Sequence, residues 1–126
     1  MAGIYIHVPF CASRCIYCGF YTTTTLTNQD RLVRALCTEL DMRRDYLLDK
    51  GVPTSPIMID TIYLGGGTPS QLSQENLLRL FDAIYNKVEQ VPTFYISPTA
   101  EVTMECNPDD LTSQFAQTIA RLPVNR

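Results

Sequence analysis

The sequence predicts an α/β fold in which three parallel strands alternate with three helices in the order β-α-β-α-β-α. Three runs of alternating or β-branched apolar residues are each followed, after a loop, by apolar residues at helical spacing. Strands that alternate with helices pair in parallel through right-handed crossovers. A cysteine-rich loop, a glycine-rich loop and an Asn-Pro loop each follow a strand directly. Because the carboxyl ends of parallel strands share one sheet edge, we expect these loops to meet at a single site.

The strands are expected at residues 3–8, 57–64 and 101–105. In the first and third, apolar residues alternate with polar ones, so that Val102 faces away from Thr103 and Glu105. The second is almost continuously apolar, which is typical of a strand buried on both faces. Residues 92–98 are expected to form a connector.

Helices are expected at residues 28–48, from residue 73 onward, and at 112–122. Each carries one apolar stripe at helical spacing. The stripes consist of Leu32, Leu36, Leu40 and Leu47, of Leu77, Phe81, Ile84 and Val88, and of Phe115, Ile119 and Leu122. Thr27 and Ser73 are expected to supply capping hydroxyls for the first two helices, and Gly51 and Pro53 to end the first.

Composition excludes several classes of protein. The 126 residues are enough for one domain with a modest core. The formal net charge is −3 and the ten Lys and Arg are dispersed, so no nucleic-acid partner is expected. Residues 1–10 lack the basic start and long apolar run of a signal peptide, and no apolar stretch is long enough to cross a membrane. These features predict a cytoplasmic protein without a transmembrane segment.

Cys11, Cys15 and Cys18 form a C-x3-C-x2-C pattern within eight residues. Three thiolates at this spacing can ligate three irons of a cubane cluster and leave the fourth iron open. An open metal position is where substrate chemistry takes place. The pattern therefore predicts a [4Fe–4S] cluster with one vacant coordination position.

Two alternatives remain open for this loop, although both are disfavoured. A structural zinc site needs four ligands, usually in two close pairs, and here three thiols are bunched. A thiol–disulfide site would use C-x-x-C alone and leave Cys11 without a role. Cys37 and Cys106 are expected to be small buried residues rather than ligands, and His7 a hydrogen-bonded core histidine rather than a haem ligand.

Four segments together resemble a known family. C-x3-C-Φ-C, with Tyr17 before the third cysteine, is similar to the signature of the radical S-adenosylmethionine (SAM) superfamily. The segments YIHVPFC at 5–11, GGGTPS at 65–70 and ECNP at 105–108 resemble those of its coproporphyrinogen-dehydrogenase-like branch. Within that branch the chain is similar to HemW-type haem chaperones, because Phe20 stands where the oxygen-independent coproporphyrinogen III oxidases carry a further cysteine.

The resemblance implies a fold and a domain organisation. It implies that the β-α-β-α-β-α order is the N-terminal part of a radical SAM partial TIM barrel. Residues 1–126 would then be the N-terminal portion of a single radical SAM domain that stops before its fourth strand.

The resemblance also implies cofactors and the residues that bind them. The [4Fe–4S] cluster would be held by Cys11, Cys15 and Cys18. SAM would be contacted by Tyr5, Tyr17, Gly66, Gly67, Thr68 and Glu105. On chemistry alone, glycines let the backbone approach a ligand, and a carboxylate accepts from an ammonium or a ribose. A plain turn for the glycines, a solvated acid at Glu105 and a packed aromatic at Tyr5 remain the alternatives.

The function implied is that of a HemW-like haem chaperone in haem delivery and porphyrin metabolism, with SAM, haem or porphyrin, and an electron donor such as flavodoxin or ferredoxin as partners. The alternative is an oxygen-independent coproporphyrinogen III oxidase that forms protoporphyrinogen IX by radical decarboxylation. The resemblance leaves open whether the chain is an enzyme, since HemW-like members are expected to lack the oxidase activity.

Overall fold

The computed structural model describes residues 1–48, 56–85 and 93–126. Its regular elements are β1 (Ala2–Val8), α1 (Gln29–Met42), β2 (Ile57–Gly66), α2 (Gln74–Tyr85), β3 (Phe94–Met104) and α3 (Ser113–Ile119). Three short 3-10 helices precede or follow them, at Leu26–Asn28, Pro69–Gln71 and Pro108–Asp110. The strands form one sheet in the order β1-β2-β3, and both pairs are parallel. The predicted fold class and element order are confirmed.

The core lies between one face of the sheet and the helices. Alternate residues of each strand are buried there: Ile6 and Val8, Ile62 and Leu64, and Val102 and Met104. The α2 helix contributes Leu77, Leu80, Phe81 and Ile84, all buried, and packs beside α1. The predicted helical stripe of α2 is therefore confirmed as far as Ile84, and Val88 lies outside the described residues.

The opposite face of the sheet is open, which corrects the prediction that residues 57–64 are buried on both faces. Met58 and Tyr63 on β2 are exposed, as are Tyr5 on β1 and Tyr95 on β3. Buried and exposed residues alternate along this strand, but the sequence does not reveal it, because apolar side chains occupy both faces. The carboxyl-end loops border this open face.

The first helix is shorter than predicted. It ends at Met42, residues 43–47 form turns, and Leu47 is half exposed instead of continuing the stripe. The Arg44 guanidinium lies 5.0 Å from the Phe94 ring centroid and donates to the Ala83 carbonyl oxygen. These contacts join the turn after α1 to β3 and to α2. The predicted stop at Gly51 and Pro53 lies outside the described residues.

The predicted caps have mixed outcomes. Ser73 Oγ accepts a hydrogen bond from the Asn76 amide, as expected. Thr27 lies inside a 3-10 helix, and the N-cap of α1 is Asn28, whose side chain makes no capping bond. The third helix is capped by Thr112 and ends at Ile119, shorter than the predicted 112–122.

The third strand begins earlier than predicted, because Phe94–Met104 includes most of the expected connector. Phe94 and Ile96 pair with the start of β2. Pro98 lies where the register between β2 and β3 shifts, and an irregularity of this kind tolerates a residue without an N–H. Pro92 lies outside the described residues.

The last residues of the chain lie along the outer edge of β3. The Arg126 amide donates to Val102 O at 3.2 Å, and the Met104 amide donates to Arg126 O at 3.0 Å. This exchange is the hydrogen-bond pattern of neighbouring parallel strands.

In the described part of the chain, no helix has the length and apolar character required to cross a membrane.

Candidate functional site

The three loops that follow the strands meet at the carboxyl edge of the sheet, as the topology predicts. Val8 and Gly66 are in register across β1 and β2. Beyond them, the Gly67 amide donates to Val8 O at 2.7 Å and the Thr68 amide to Phe10 O at 2.6 Å. The glycine loop is therefore bonded directly to the start of the cysteine loop.

The glycine loop approaches the neighbouring strand too closely for any side chain. A Cβ at Gly67 would lie 2.7 Å from the Pro9 carbonyl carbon and 2.8 Å from Phe10 O. Gly66 has φ +111°, and a Cβ there would lie 2.5 Å from the His7 ring. Both positions therefore need glycine for packing, before any ligand is considered.

The cysteine loop is closed at its base and exposed at its tip. The Cys11 amide donates to Thr23 O at 3.0 Å, and the Thr23 amide donates to Pro9 O at 2.8 Å. Cys11 is buried at this base, Cys15 is exposed and Cys18 is half-buried. All three thiols are free.

The donor chemistry of this loop fits an iron–sulfur cluster, since three free thiols lie on one segment beside the sheet edge. The arrangement is not closed around a metal. Across residues 1–48, 56–85 and 93–126, no three His, Cys, Asp or Glu side chains converge to hold an ion. The assignment of Cys11, Cys15 and Cys18 as ligands stays a prediction.

Tyr17 lies at the tip of the same loop, with 86 % of its surface exposed. A hydrogen bond with Cys15 is the main cause that raises the pKa of the Tyr17 hydroxyl. Its side chain is thus beside one predicted ligand. A contact with SAM stays a prediction.

Tyr5 and His7 extend along the open face of β1 toward the cysteine loop. His7 Nε2 lies 2.9 Å from the Tyr21 carbonyl oxygen, and Nδ1 lies 3.1 Å from the Tyr5 hydroxyl. A carbonyl only accepts, so Nε2 carries a proton, and in the neutral ring Nδ1 accepts from the Tyr5 hydroxyl. His7 is hydrogen-bonded as predicted but lies half-buried on the open face, not in the core, because its strand position alternates with Ile6 and Val8.

Glu105 lies immediately after β3, beside the glycine loop. Its amide donates to Leu64 O at 3.1 Å, and its carboxylate Oε1 accepts from the Tyr63 hydroxyl at 2.7 Å. That hydrogen bond is the main cause that raises the pKa of Tyr63. Tyr63 was not among the sequence-predicted site residues; its alternation with the buried Ile62 and Leu64 is the signal that could have found it.

Ser70 joins the glycine loop to the Asn-Pro loop, a link that no motif in the sequence indicates. Its buried hydroxyl donates to Asp110 Oδ2 at 2.5 Å and accepts from the Asn107 amide at 3.0 Å. Gln71 donates to the other Asp110 oxygen at 2.7 Å. All three loops are therefore bonded to one another through the glycine loop.

The remaining two cysteines differ from each other. Cys37 is half-buried on α1 and packs against the core. Cys106 is exposed, which corrects the prediction that it is a small buried residue. It follows Glu105 in the loop beyond β3, where the open face of the sheet leaves it uncovered.

Several known proteins are similar to this chain in sequence. The chain is 39 % identical to a haem chaperone HemW of Mycobacterium tuberculosis, over 93 % of this chain and 28 % of that protein. It is 35 % identical to an anaerobilin synthase of Escherichia coli O157:H7, over 81 % of this chain and 21 % of that protein. The chain thus spans about a quarter of the length of these relatives. No family model matches it.

A solved structure has the same fold. The coproporphyrinogen III oxidase of Escherichia coli, described as a radical SAM enzyme, matches 99 % of this chain and 26 % of its own with a TM-score of 0.79. The two sequences are 23 % identical over this match, so this likeness concerns the fold. The sequence identities to curated relatives and the shared fold agree with the motif resemblance. Over the quarter of their length that it spans, the chain is therefore a homologue of HemW and of the oxygen-independent coproporphyrinogen III oxidases.

Proposed function

We propose that this chain binds SAM at a [4Fe–4S] cluster held by Cys11, Cys15 and Cys18, and that the protein acts as a HemW-like haem chaperone. Homology to HemW and to these oxidases implies SAM and such a cluster in general. The observation that carries the proposal is the bonding of the glycine loop to the base of the cysteine loop, through the Gly67 and Thr68 amides. It supports a single site in which thiols and a ligand-binding backbone are neighbours.

The chain's own residues have distinct parts in this proposal. The three thiolates would hold three irons, and the glycine loop would offer its backbone to the methionyl end of SAM. Thr68 would add a hydroxyl, and the Glu105 carboxylate would accept from an ammonium or ribose hydroxyl. Tyr5 and Tyr17 border the site from the strand and from the loop tip. When bound and reduced, the cluster supplies the electron that cleaves a C–S bond of SAM.

The haem-chaperone function is preferred to porphyrinogen decarboxylation. Phe20 occupies the position at which the oxidases carry a further cysteine, and a relative at 39 % identity bears the name of haem chaperone. In the complete protein we expect haem or porphyrin as the cargo and a flavodoxin or ferredoxin as the electron donor. We also expect residues 1–126 to be the first part of one radical SAM domain in a cytoplasmic protein.

Anaerobic reconstitution with iron and sulfide tests the cluster. The wild-type chain should contain iron and inorganic sulfide in the equal amounts of a [4Fe–4S] cluster. Cys11→Ala, Cys15→Ala and Cys18→Ala should each lose it. The matched controls Cys37→Ala and Cys106→Ala remove thiols outside the loop and should keep it.

Two results would contradict the proposal. One is full iron content in any of the three loop variants, which would remove that ligand from the set. The other is a zinc-loaded protein without inorganic sulfide, which would favour a structural site. With the complete protein, transfer of haem to an acceptor without decarboxylation of coproporphyrinogen III would support the chaperone over the oxidase.

A further inference from the structure

Tyr63 on β2 and Glu105, the residue that follows β3, form a hydrogen-bonded pair on the open face of the sheet, 42 positions apart in sequence. The Tyr63 hydroxyl donates to Glu105 Oε1 at 2.7 Å. Tyr63 is 39 % exposed and Glu105 is also exposed, so the pair is open to solvent and to a ligand. Solvent-exposed carboxylates rarely keep one orientation, because a glutamate side chain loses rotamer freedom when it is fixed.

The chain makes room for this pair. Gly65 lies between the two side chains, and a Cβ there would be 2.6 Å from Tyr63 Cε1 and 3.2 Å from Glu105 Cδ and Oε2. The φ angle of Gly65 is not in the left-handed region. The space beside this glycine is thus occupied by the two side chains, and a Cβ would displace them from their present positions.

Other groups on the same face complete the setting. The Tyr5 ring centroid lies 6.0 Å from that of Tyr63, and the Tyr5 hydroxyl is hydrogen-bonded to His7. Arg126 acts on Tyr63 electrostatically and is itself paired with Glu101 at 3.0 Å. Among the described residues, no donor is found for Glu105 Oε2, so that oxygen remains available to a ligand.

We propose that Tyr63 is a positioning residue: by holding Oε1 it fixes the Glu105 carboxylate so that Oε2 receives an N–H or O–H donor of bound SAM. The inference rests on the proposed function, since it needs SAM at this edge of the sheet. It adds a residue that the motif resemblance does not contain. The hydroxyl, not the ring, is the part that acts.

Replacing Tyr63 by Phe keeps the ring and removes the donor. In the anaerobically reconstituted chain, Tyr63→Phe should weaken binding about 2- to 10-fold, the range of one net hydrogen bond. Equilibrium binding is measured with SAM and with S-adenosylhomocysteine, a probe that has no sulfonium to cleave, so the readout does not depend on turnover. Tyr95→Phe is the matched control, because Tyr95 is 44 % exposed on β3 and pairs with Met58 at the other end of the sheet.

A double-mutant cycle separates positioning from a general structural effect. In the Glu105→Ala background both carboxylate oxygens are gone and the Tyr63 hydroxyl has no acceptor there, so adding Tyr63→Phe should change the dissociation constant little. Fully additive losses would overturn the inference. Gly65→Ala offers a second variant: its Cβ would displace the Tyr63 ring, and a similar loss of affinity is expected.

The outcomes of the two proposals are distinguishable. If the wild-type chain carries the cluster but binds neither probe, the proposed function fails and this inference fails with it. If the wild-type chain binds both probes and Tyr63→Phe binds them equally well, only the role of Tyr63 is refuted. Unchanged thermal midpoints of Tyr63→Phe and Tyr95→Phe would show that folding is not the cause of any difference.

Discussion

Gly67 is the position at which a single methyl group should be most informative. Gly67→Ala would place a Cβ 2.7 Å from the Pro9 carbonyl carbon and 2.8 Å from both the Pro9 and Phe10 oxygens. All three are backbone atoms at the base of the cysteine loop, so no side-chain rotation relieves the contact. The hydrogen bonds that the Gly67 and Thr68 amides donate to the Val8 and Phe10 carbonyl oxygens would lengthen as the strands separate.

The magnitude results from three contributions. Overpacking of this kind costs about 1–3 kcal/mol. A lost backbone hydrogen bond adds about 0.5–1.5 kcal/mol. Replacing a glycine lowers the conformational entropy of the unfolded chain, which offsets the loss of stability by about 0.4–1 kcal/mol. The free energy of unfolding should therefore fall by about 0.5–4 kcal/mol in the Gly67→Ala variant.

Urea unfolding followed by far-UV circular dichroism measures this change as a lower midpoint at an unchanged slope. Gly19→Ala is the matched control, because Gly19 is exposed and a Cβ there meets nothing within 4 Å. Only the unfolded-state effect remains for it, so Gly19→Ala should be neutral or slightly stabilising. If both variants unfolded at the same urea concentration, the close approach of the glycine loop to the cysteine loop would be refuted.

Two other predictions concern hydrogen bonds between strands and loops. Ser70→Ala leaves the Asn107 amide and Asp110 Oδ2 without the partner that the buried Ser70 hydroxyl provides, and it should destabilise the chain by about 1–3 kcal/mol in urea unfolding. Ser113 is exposed, so Ser113→Ala should change the stability little. Equal midpoints would remove Ser70 as the link between two loops. The hydrogen bond to Glu105 raises the pKa of Tyr63 in the folded state. The stability that this hydrogen bond contributes is therefore present below the ordinary tyrosine pKa of about 10, and it is lost as the pH rises through the higher pKa of the folded state. In an alkaline titration at 295 nm, Tyr63→Phe should remove one of the late-ionising tyrosines; loss of an early one instead would contradict the hydrogen bond.

The sequence predicts the elements better than their ends. Apolar alternation around Ile6 and Val8, and the loops placed after the strands, are local signals, and they led to the correct topology. The end of α1 has no such signal, because the contact of Arg44 with Phe94 joins residues 50 positions apart. Pro98 misled for the opposite reason: a strong local signal for a connector was overridden by pairing with β2.

The residues of the candidate site likewise fall into those that the sequence predicted and those that it did not. Apart from Tyr5, which lies within β1, the residues named from motifs lie at or beside the carboxyl edge, because these motifs occupy the ends of strands and the loops that follow them. Tyr63 and Ser70 were missed because their partners, Glu105 and Asp110, depend on the register between strands. The alternation with the buried Ile62 and Leu64 indicates the face of the sheet on which Tyr63 lies, but the residue beside it on the neighbouring strand is set by the pairing of β2 with β3, which the pattern of β2 alone does not give.

The closed base of the cysteine loop has a consequence for how the protein meets oxygen. Since Pro9 and Cys11 are bonded to Thr23, residues 12–22 leave and re-enter the sheet edge at nearly one point, in the manner of an Ω-loop. If the loop holds the proposed cluster, rearrangement of its tip around iron is then local, because the strands behind it are already assembled. Loss of that cluster in air should leave a folded chain that can take up iron and sulfide again.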